Sequence, residues 1–139
     1  SVKSRGLGDV YKRQFKGKAE ILYNQINLSL THLDHMFDGT LEYMQANNIL
    51  PMAYSPLGSY FKEGSDKIKK VVESLKDKYS CTDYQLLISW LLKHPSKVYP
   101  VIGTTKSDRI KKSIKSLKIE IELIDWFELL EASVGKRVP

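Results

Sequence analysis

Two junctions in this chain bring backbone donors, hydroxyls and positive charge to the point where an apolar run breaks into a turn. Pro51-Met52-Ala53-Tyr54 is followed at once by Ser55-Pro56-Leu57-Gly58-Ser59, and Val98-Tyr99-Pro100-Val101-Ile102 by Gly103-Thr104-Thr105-Lys106-Ser107-Asp108-Arg109. In a barrel of alternating strands and helices, loops at the carboxyl ends of parallel strands face the mouth, where ligands collect. The amides of Ser55, Leu57, Gly58 and Ser59, with the two serine hydroxyls, suit an anion such as a pyrophosphate, which binds where several backbone donors converge. A helix opening near Ser107 aims its positive end at the same kind of ligand. Lys106 and Arg109 add charge-assisted bonds to phosphate, a pattern that favours NADP over NAD. The pair of junctions reads as a dinucleotide site.

Two further side chains carry binding chemistry. Tyr54 ends its strand where the chain turns, and its ring offers a face on which a nicotinamide could stack; the alternative is an aromatic packed under the following loop. Gln25 has a donor and an acceptor, matching the two ends of a carboxamide; the alternative is a satisfied polar group inside the barrel. His32 and His35 are three residues apart but lack a third ligand in a recognisable zinc register, and no metal is expected. Cys81 rules out an intramolecular disulfide and suits a reducing compartment. Next to Thr82 and Asp83 at a helix start, a thiolate there is favoured by the dipole, yet no histidine base accompanies it.

These elements occur in a recognisable order. Asn24-Gln25-Ile26-Asn27, then Tyr54-Ser55-Pro56-Leu57-Gly58, then Ile102-Gly103 followed by a helix with Arg109 in its first turn, resemble the C-terminal half of an aldo-keto reductase. Asp38-Gly39-Thr40-Leu41 and the terminal Val138-Pro139 are similar to a bacterial group of that family. The resemblance covers residues 15–139. It implies a (β/α)8 barrel as parent fold, NADP as cofactor, Gln25 on the nicotinamide amide, Tyr54 under the nicotinamide ring, and Gly103, Thr104, Thr105, Lys106 and Arg109 on the phosphates. Thr104-Thr105 stands at positions that vary in the family, and Lys112 stands where many members carry an acidic or small residue near the adenine.

A complete barrel of this kind takes about 250 residues, whereas this chain has 139. The expectation is therefore about three strands with outer helices, the C-terminal part of the barrel. The family's catalytic Asp, Tyr, Lys and His belong to the preceding strand units, so no catalytic residue is assigned here. Residues 1–14 carry four Lys/Arg and no apolar period. Gly8-Asp9-Val10-Tyr11-Lys12-Arg13-Gln14 resembles a translated sequencing adaptor, so 1–14 is set apart as a non-native or disordered leader; a native basic arm is the rival reading.

The net charge of +6 is spread along helices, as in Lys67-Ile68-Lys69-Lys70-Val71-Val72, where cations alternate with apolar residues as on a solvated helix face. No groove-entering motif accompanies the charge, so nucleic acid is not an expected partner. No run reaches the roughly 20 apolar residues of a membrane span and no signal peptide is present, which points to a cytoplasmic protein.

Short runs rich in aliphatic, β-branched and aromatic residues predict strands over 21–28, 49–54 and 98–102. Helices are predicted over 33–47, 66–79, 82–93, 107–116 and 123–132. The alternation argues for parallel strands with helices packed outside. Three strands cannot close a cylinder, so the barrel interior is expected to face water. The functional expectation is NADP-dependent reduction of small aldehydes or ketones by hydride transfer in the complete protein, with this chain supplying cofactor binding and being inactive alone. The rivals are a non-catalytic interaction subunit on the same barrel and a small basic nucleic-acid-binding domain.

Overall fold

The computed structural model describes residues 22–137, and the leader and Val138-Pro139 lie outside the described residues. Among the described residues, three strands form one parallel sheet in the order β1 (Leu22–Asn27), β2 (Ile49–Tyr54) and β3 (Tyr99–Pro100). Between β1 and β2 lie α1 (Asp34–Phe37) and α2 (Thr40–Ala46). Between β2 and β3 lie α3 (Asp66–Tyr79) and α4 (Asp83–Leu92), and α5 (Ser107–Ser116) and α6 (Leu123–Val134) follow β3. This is part of a (β/α)8 barrel: parallel strands joined by helices that all collect on one face.

The strand alternation shows which face is covered. Asn24, Ile26, Ile49, Pro51 and Ala53 are buried, and Ile26, Ile49 and Ala53 join the core formed by the helices. The opposite parity carries Tyr23, Gln25, Met52, Tyr54 and Tyr99 onto the inner face, where Tyr23 is 55% and Tyr99 46% exposed. The expected open interior is thus observed.

Two predicted elements differ from the structure. The single helix over 33–47 is two, because Gly39 adopts φ 87° and the Asp38 carboxylate accepts the Thr40 N–H at 2.9 Å. That local bond competes with helix continuation. Across the break Met36, Leu41 and Met44 are buried, while Phe37 and Ala46, expected on the same face, are exposed. The strand over 98–102 shrinks to Tyr99–Pro100, since Pro100 has no N–H for the ladder; Val101 N–H still reaches Ala53 O at 2.8 Å.

The other helices begin and end for local reasons. Thr82 and Gln85 form a reciprocal capping box at the start of α4. Gly135, at φ 82°, closes α6 two residues beyond the predicted end. The buried Asp125 of α6 ties that helix to α3, taking Lys78 Nζ at 2.7 Å and the Tyr79 hydroxyl. Burial pushes its pKa up, but the bonds from Lys78 and Tyr79 outweigh it and hold the carboxyl below its ordinary value.

Candidate functional site

The two strand-to-helix junctions meet. Ser55, Pro56, Leu57 and Gly58 after β2 and Val101, Ile102, Gly103 and Thr104 after β3 line one cleft of ≈ 230 Å³ together with Tyr84 and Arg109. A second cavity of ≈ 450 Å³ adjoins it, sharing Leu57, Tyr84 and Arg109 and adding Phe61, Thr82, Asp83 and Lys112. The first alone is below, and the second within, the range of about 300–1,000 Å³ common for ligand pockets, and joined they remain inside it.

The electrostatics come from the start of α5. Its N-cap is Lys106, in extended conformation and without a side-chain cap, so the positive end of the helix is left open beside Arg109. Lys106 N–H is taken by Thr104 Oγ1 at 3.1 Å, which fixes the turn that delivers the chain into the helix. No protein atom lies within 4 Å of the place a Cβ would take at Gly103, so the space beside this cleft residue is open. Arg109 O accepts the Ser113 hydroxyl at 2.8 Å, and Tyr84 and Ser113 hydroxyls lie 2.6 Å apart, which anchors Tyr84 between α4 and α5.

The sequence-assigned residues divide into groups. Ser55, Leu57, Gly58, Gly103, Thr104 and Arg109 line the cleft together. Lys106 and Thr105 sit at its helix end, exposed to solvent. Gln25 and Tyr54 lie on the uncovered face of the sheet: β1 and β2 align Gln25 with Met52 and Asn27 with Tyr54, so both side chains project on one side, Tyr54 one ladder step nearer the loop. Tyr54 is 37% exposed.

The expected fan of backbone donors after β2 is narrower than the sequence suggested. Gly58 N–H closes a turn onto Ser55 O at 2.8 Å, and Ser59 N–H is held by Thr31 Oγ1 at 2.9 Å. Pro56 has no N–H. The loop therefore offers its hydroxyls, with Leu57 as an apolar wall, more than a nest of amides. Beneath it the buried Tyr60 stacks edge-on against Phe61 with ring centroids 4.9 Å apart, and burial pushes its hydroxyl up to about 12.

Tyr84 and the Ser29–Thr31 turn were not among the sequence candidates. Tyr84 is the second residue of α4 and signals nothing by itself; Ser29 and Thr31 follow the Asn-Gln strand with no motif of their own. Lys112 lines the adjoining cavity beside Arg109, and its carbonyl accepts Gln85 Nε2 at 3.1 Å. His35 Nδ1 sits 3.0 Å from Asp38 Oδ2 and 3.2 Å from Thr40 Oγ1, and His32 leans toward Asp34 at 3.7 Å. Burial pushes the Cys81 thiol up, with a further push from Asp83 and against the pull of Lys76.

A parallel sheet with helices collected on one face and two strand-end loops meeting at a helix start defines the class as part of an α/β barrel. The sequence profile described as "Aldo/keto reductase family" matches residues 4–132. The chain belongs to the aldo-keto reductase family. It is 34% identical over 126 residues to the oxidoreductase YcsN of Bacillus subtilis, covering 86% of this chain and 42% of that protein. It is 33% identical over 120 residues to a 6-dehydroglucose reductase of Agrobacterium fabrum, covering 85% and 40%. Among solved structures, a thermostable aldo-keto reductase, Tm1743, crystallised with the inhibitor epalrestat, superposes with a TM-score of 0.71 at 24% identity, over 86% of this chain and 43% of that one. An aldo-keto reductase from Klebsiella pneumoniae in complex with NADPH gives 0.67 at 19% identity, over 84% and 42%. The chain thus spans about two-fifths of the length of these relatives.

Proposed function

We propose that this chain forms the cofactor-binding part of an NADP-dependent aldo-keto reductase acting on small aldehydes or ketones. The observation that carries the reading is the single cleft in which Ser55, Leu57 and Gly58 meet Gly103, Thr104 and Arg109. When bound, the nicotinamide supplies the hydride. The chain's own residues bind and orient: Arg109 and Lys106 hold phosphate, the Ser55 hydroxyl and the open start of α5 support it, and Tyr54 and Gln25 on the inner sheet face present a ring surface and a carboxamide partner to the nicotinamide. The relatives above carry the names of reductases and oxidoreductases, one of them crystallised with NADPH, which supports this assignment. The family tetrad of Tyr, Lys, Asp and His is not assigned to any residue here, so the chain by itself binds without turning over.

Titration of the 139-residue chain with NADPH and with NADH, followed by the quenching of Trp90 and Trp126 emission, tests the reading. Saturable binding with NADPH preferred is the expected result; equal affinity for the two would remove the 2′-phosphate from the site.

A further inference from the structure

The turn between β1 and α1 reaches across to the loop that follows β2. Ser29 and His32 exchange backbone hydrogen bonds of 3.2 and 3.1 Å, closing a tight turn around Leu30 and Thr31. Inside it, the fully buried Ser29 takes the Thr31 N–H on its Oγ at 3.3 Å, and the two hydroxyls lie 3.1 Å apart. The Thr31 hydroxyl then accepts the Ser59 N–H at 2.9 Å, a bond spanning 28 residues of sequence. On the same side Gly58, at φ 54°, comes so close that a Cβ there would overlap both Thr31 Oγ1 and Ser29 Oγ. The loop is therefore held by a hydrogen bond and by close steric contact, both with the same two hydroxyls. Neither Ser29 nor Thr31 lines the cleft, whereas Ser55, Pro56, Leu57 and Gly58 do.

We infer that Thr31, supported by Ser29, is a positioning residue for the dinucleotide: it clamps the loop 55–59 in its ligand-facing form and withholds the Ser59 amide from the ligand. The inference rests on the reading of that loop as part of the cofactor site. The chemistry at position 31 is specific. An acceptor oxygen is needed to pair the Ser59 N–H, so a serine serves and a valine, equal in shape, leaves the amide without its partner. The clamp acts on the ligand segment that lies along the loop, which is the pyrophosphate and nicotinamide side, and not on the phosphate held at Arg109.

Two probes separate this role from a general contribution to folding. NADPH spans both ends of the cleft, whereas adenosine 2′-monophosphate engages only the Arg109 and Lys106 end. In the full chain, Thr31→Val is expected to weaken NADPH by roughly 5-fold to 10-fold, the loss of one hydrogen bond with its amide left unpaired. The same variant is expected to leave adenosine 2′-monophosphate within about twofold of wild type, and Thr31→Ser to restore NADPH to the same margin, since each keeps the bonds its probe needs. Unchanged NADPH affinity in Thr31→Val overturns the inference, as does a parallel loss of both probes or a failure of Thr31→Ser to restore binding. A wild-type chain that binds the monophosphate but not NADPH, or neither, overturns the cofactor reading itself and the clamp with it.

Discussion

Trp90 of α4 and Trp126 of α6 hydrogen-bond each other's backbone reciprocally: Trp90 Nε1 donates to Trp126 O at 3.0 Å and Trp126 Nε1 to Trp90 O at 2.9 Å. The rings stack with centroids 4.9 Å apart and planes 9° from parallel. Both indoles are buried, so each N–H would be without a partner if the other helix moved away. The pair is one unit locking the last helix onto the middle of the sheet's cover. Trp126→Phe is expected to cost about 1–3 kcal/mol through the lost bond and the cavity. Adding Trp90→Phe should cost less than the sum, with a coupling of about 0.5 kcal/mol or more, because neighbours in one network are not additive. Urea midpoints of the two single variants and the double variant check this; strict additivity would show two independent contacts.

Asn24 is 3% exposed on the helix-facing side of β1, and neither its Oδ1 nor its Nδ2 has a partner among the described residues. An unpaired buried amide costs about 1–3 kcal/mol, whereas an apolar side chain of similar shape carries no such penalty. Asn24→Leu is therefore expected to raise the urea midpoint by a corresponding amount. A fall in the midpoint would show that the amide is paired by a group beyond residues 22–137.

The architecture was legible because its signals are local. Ile68, Val72 and Leu75 fall on one face of α3, so period located that helix, and β2 was legible as a short apolar run that breaks into a Ser-Pro-Leu-Gly turn. Gly39 was visible too, but a bond from Asp38 to the Thr40 N–H decides whether a glycine splits a helix, and period does not report such a bond. In the site, the cleft residues next to the turns were legible from turn chemistry and charge. Tyr84 and Thr31 were not, since each acts through a partner far along the chain, Ser113 and Ser59. The same long-range bond explains why the Ser59 amide, a donor by sequence, is already engaged.

His94 gives the fold a pH dependence of known sign. Its Nδ1 accepts the Ser96 N–H at 3.1 Å, which requires an unprotonated Nδ1, and burial lowers its pKa against a smaller opposing pull from Glu42. The unfolded chain thus binds a proton more readily than the folded one, so stability rises with pH between the lowered folded pKa and the ordinary value near 6.5. Acidification from pH 7.5 toward 5 should lower the urea midpoint, and His94→Gln, which keeps an acceptor but does not titrate, should flatten that slope. Asp38, held at about 2 by the Thr40 hydroxyl and N–H, stays charged across this window and does not contribute to it. Identical slopes for wild type and variant would place the effect elsewhere.

The chain alone is expected to be catalytically silent. With no proton donor assigned in the cleft, purified protein should not oxidise NADPH in the presence of glyoxal or nitrobenzaldehyde above a buffer control, followed at the reduced-nicotinamide absorbance. Turnover that persists through further purification would show that a residue of this half, with Tyr54 and Tyr84 the first to substitute, supplies the proton.

The proposed function puts cofactor choice on Arg109, which lines both adjoining cavities, while Tyr54 stands apart on the inner sheet face. If the guanidinium grips the 2′-phosphate, Arg109→Ala removes a charge-assisted bond worth about 1.5–3 kcal/mol, or roughly 10-fold to 150-fold in affinity. That loss falls on NADPH and spares NADH, which lacks the phosphate. Tyr54→Ala should weaken both cofactors about equally, because the nicotinamide ring is common to them. Titration of each variant with each cofactor separates the two ends of the site. Equal losses of NADPH and NADH on changing Arg109 would remove it from the 2′-phosphate position and leave Lys106 and Lys112 as the cations to test there.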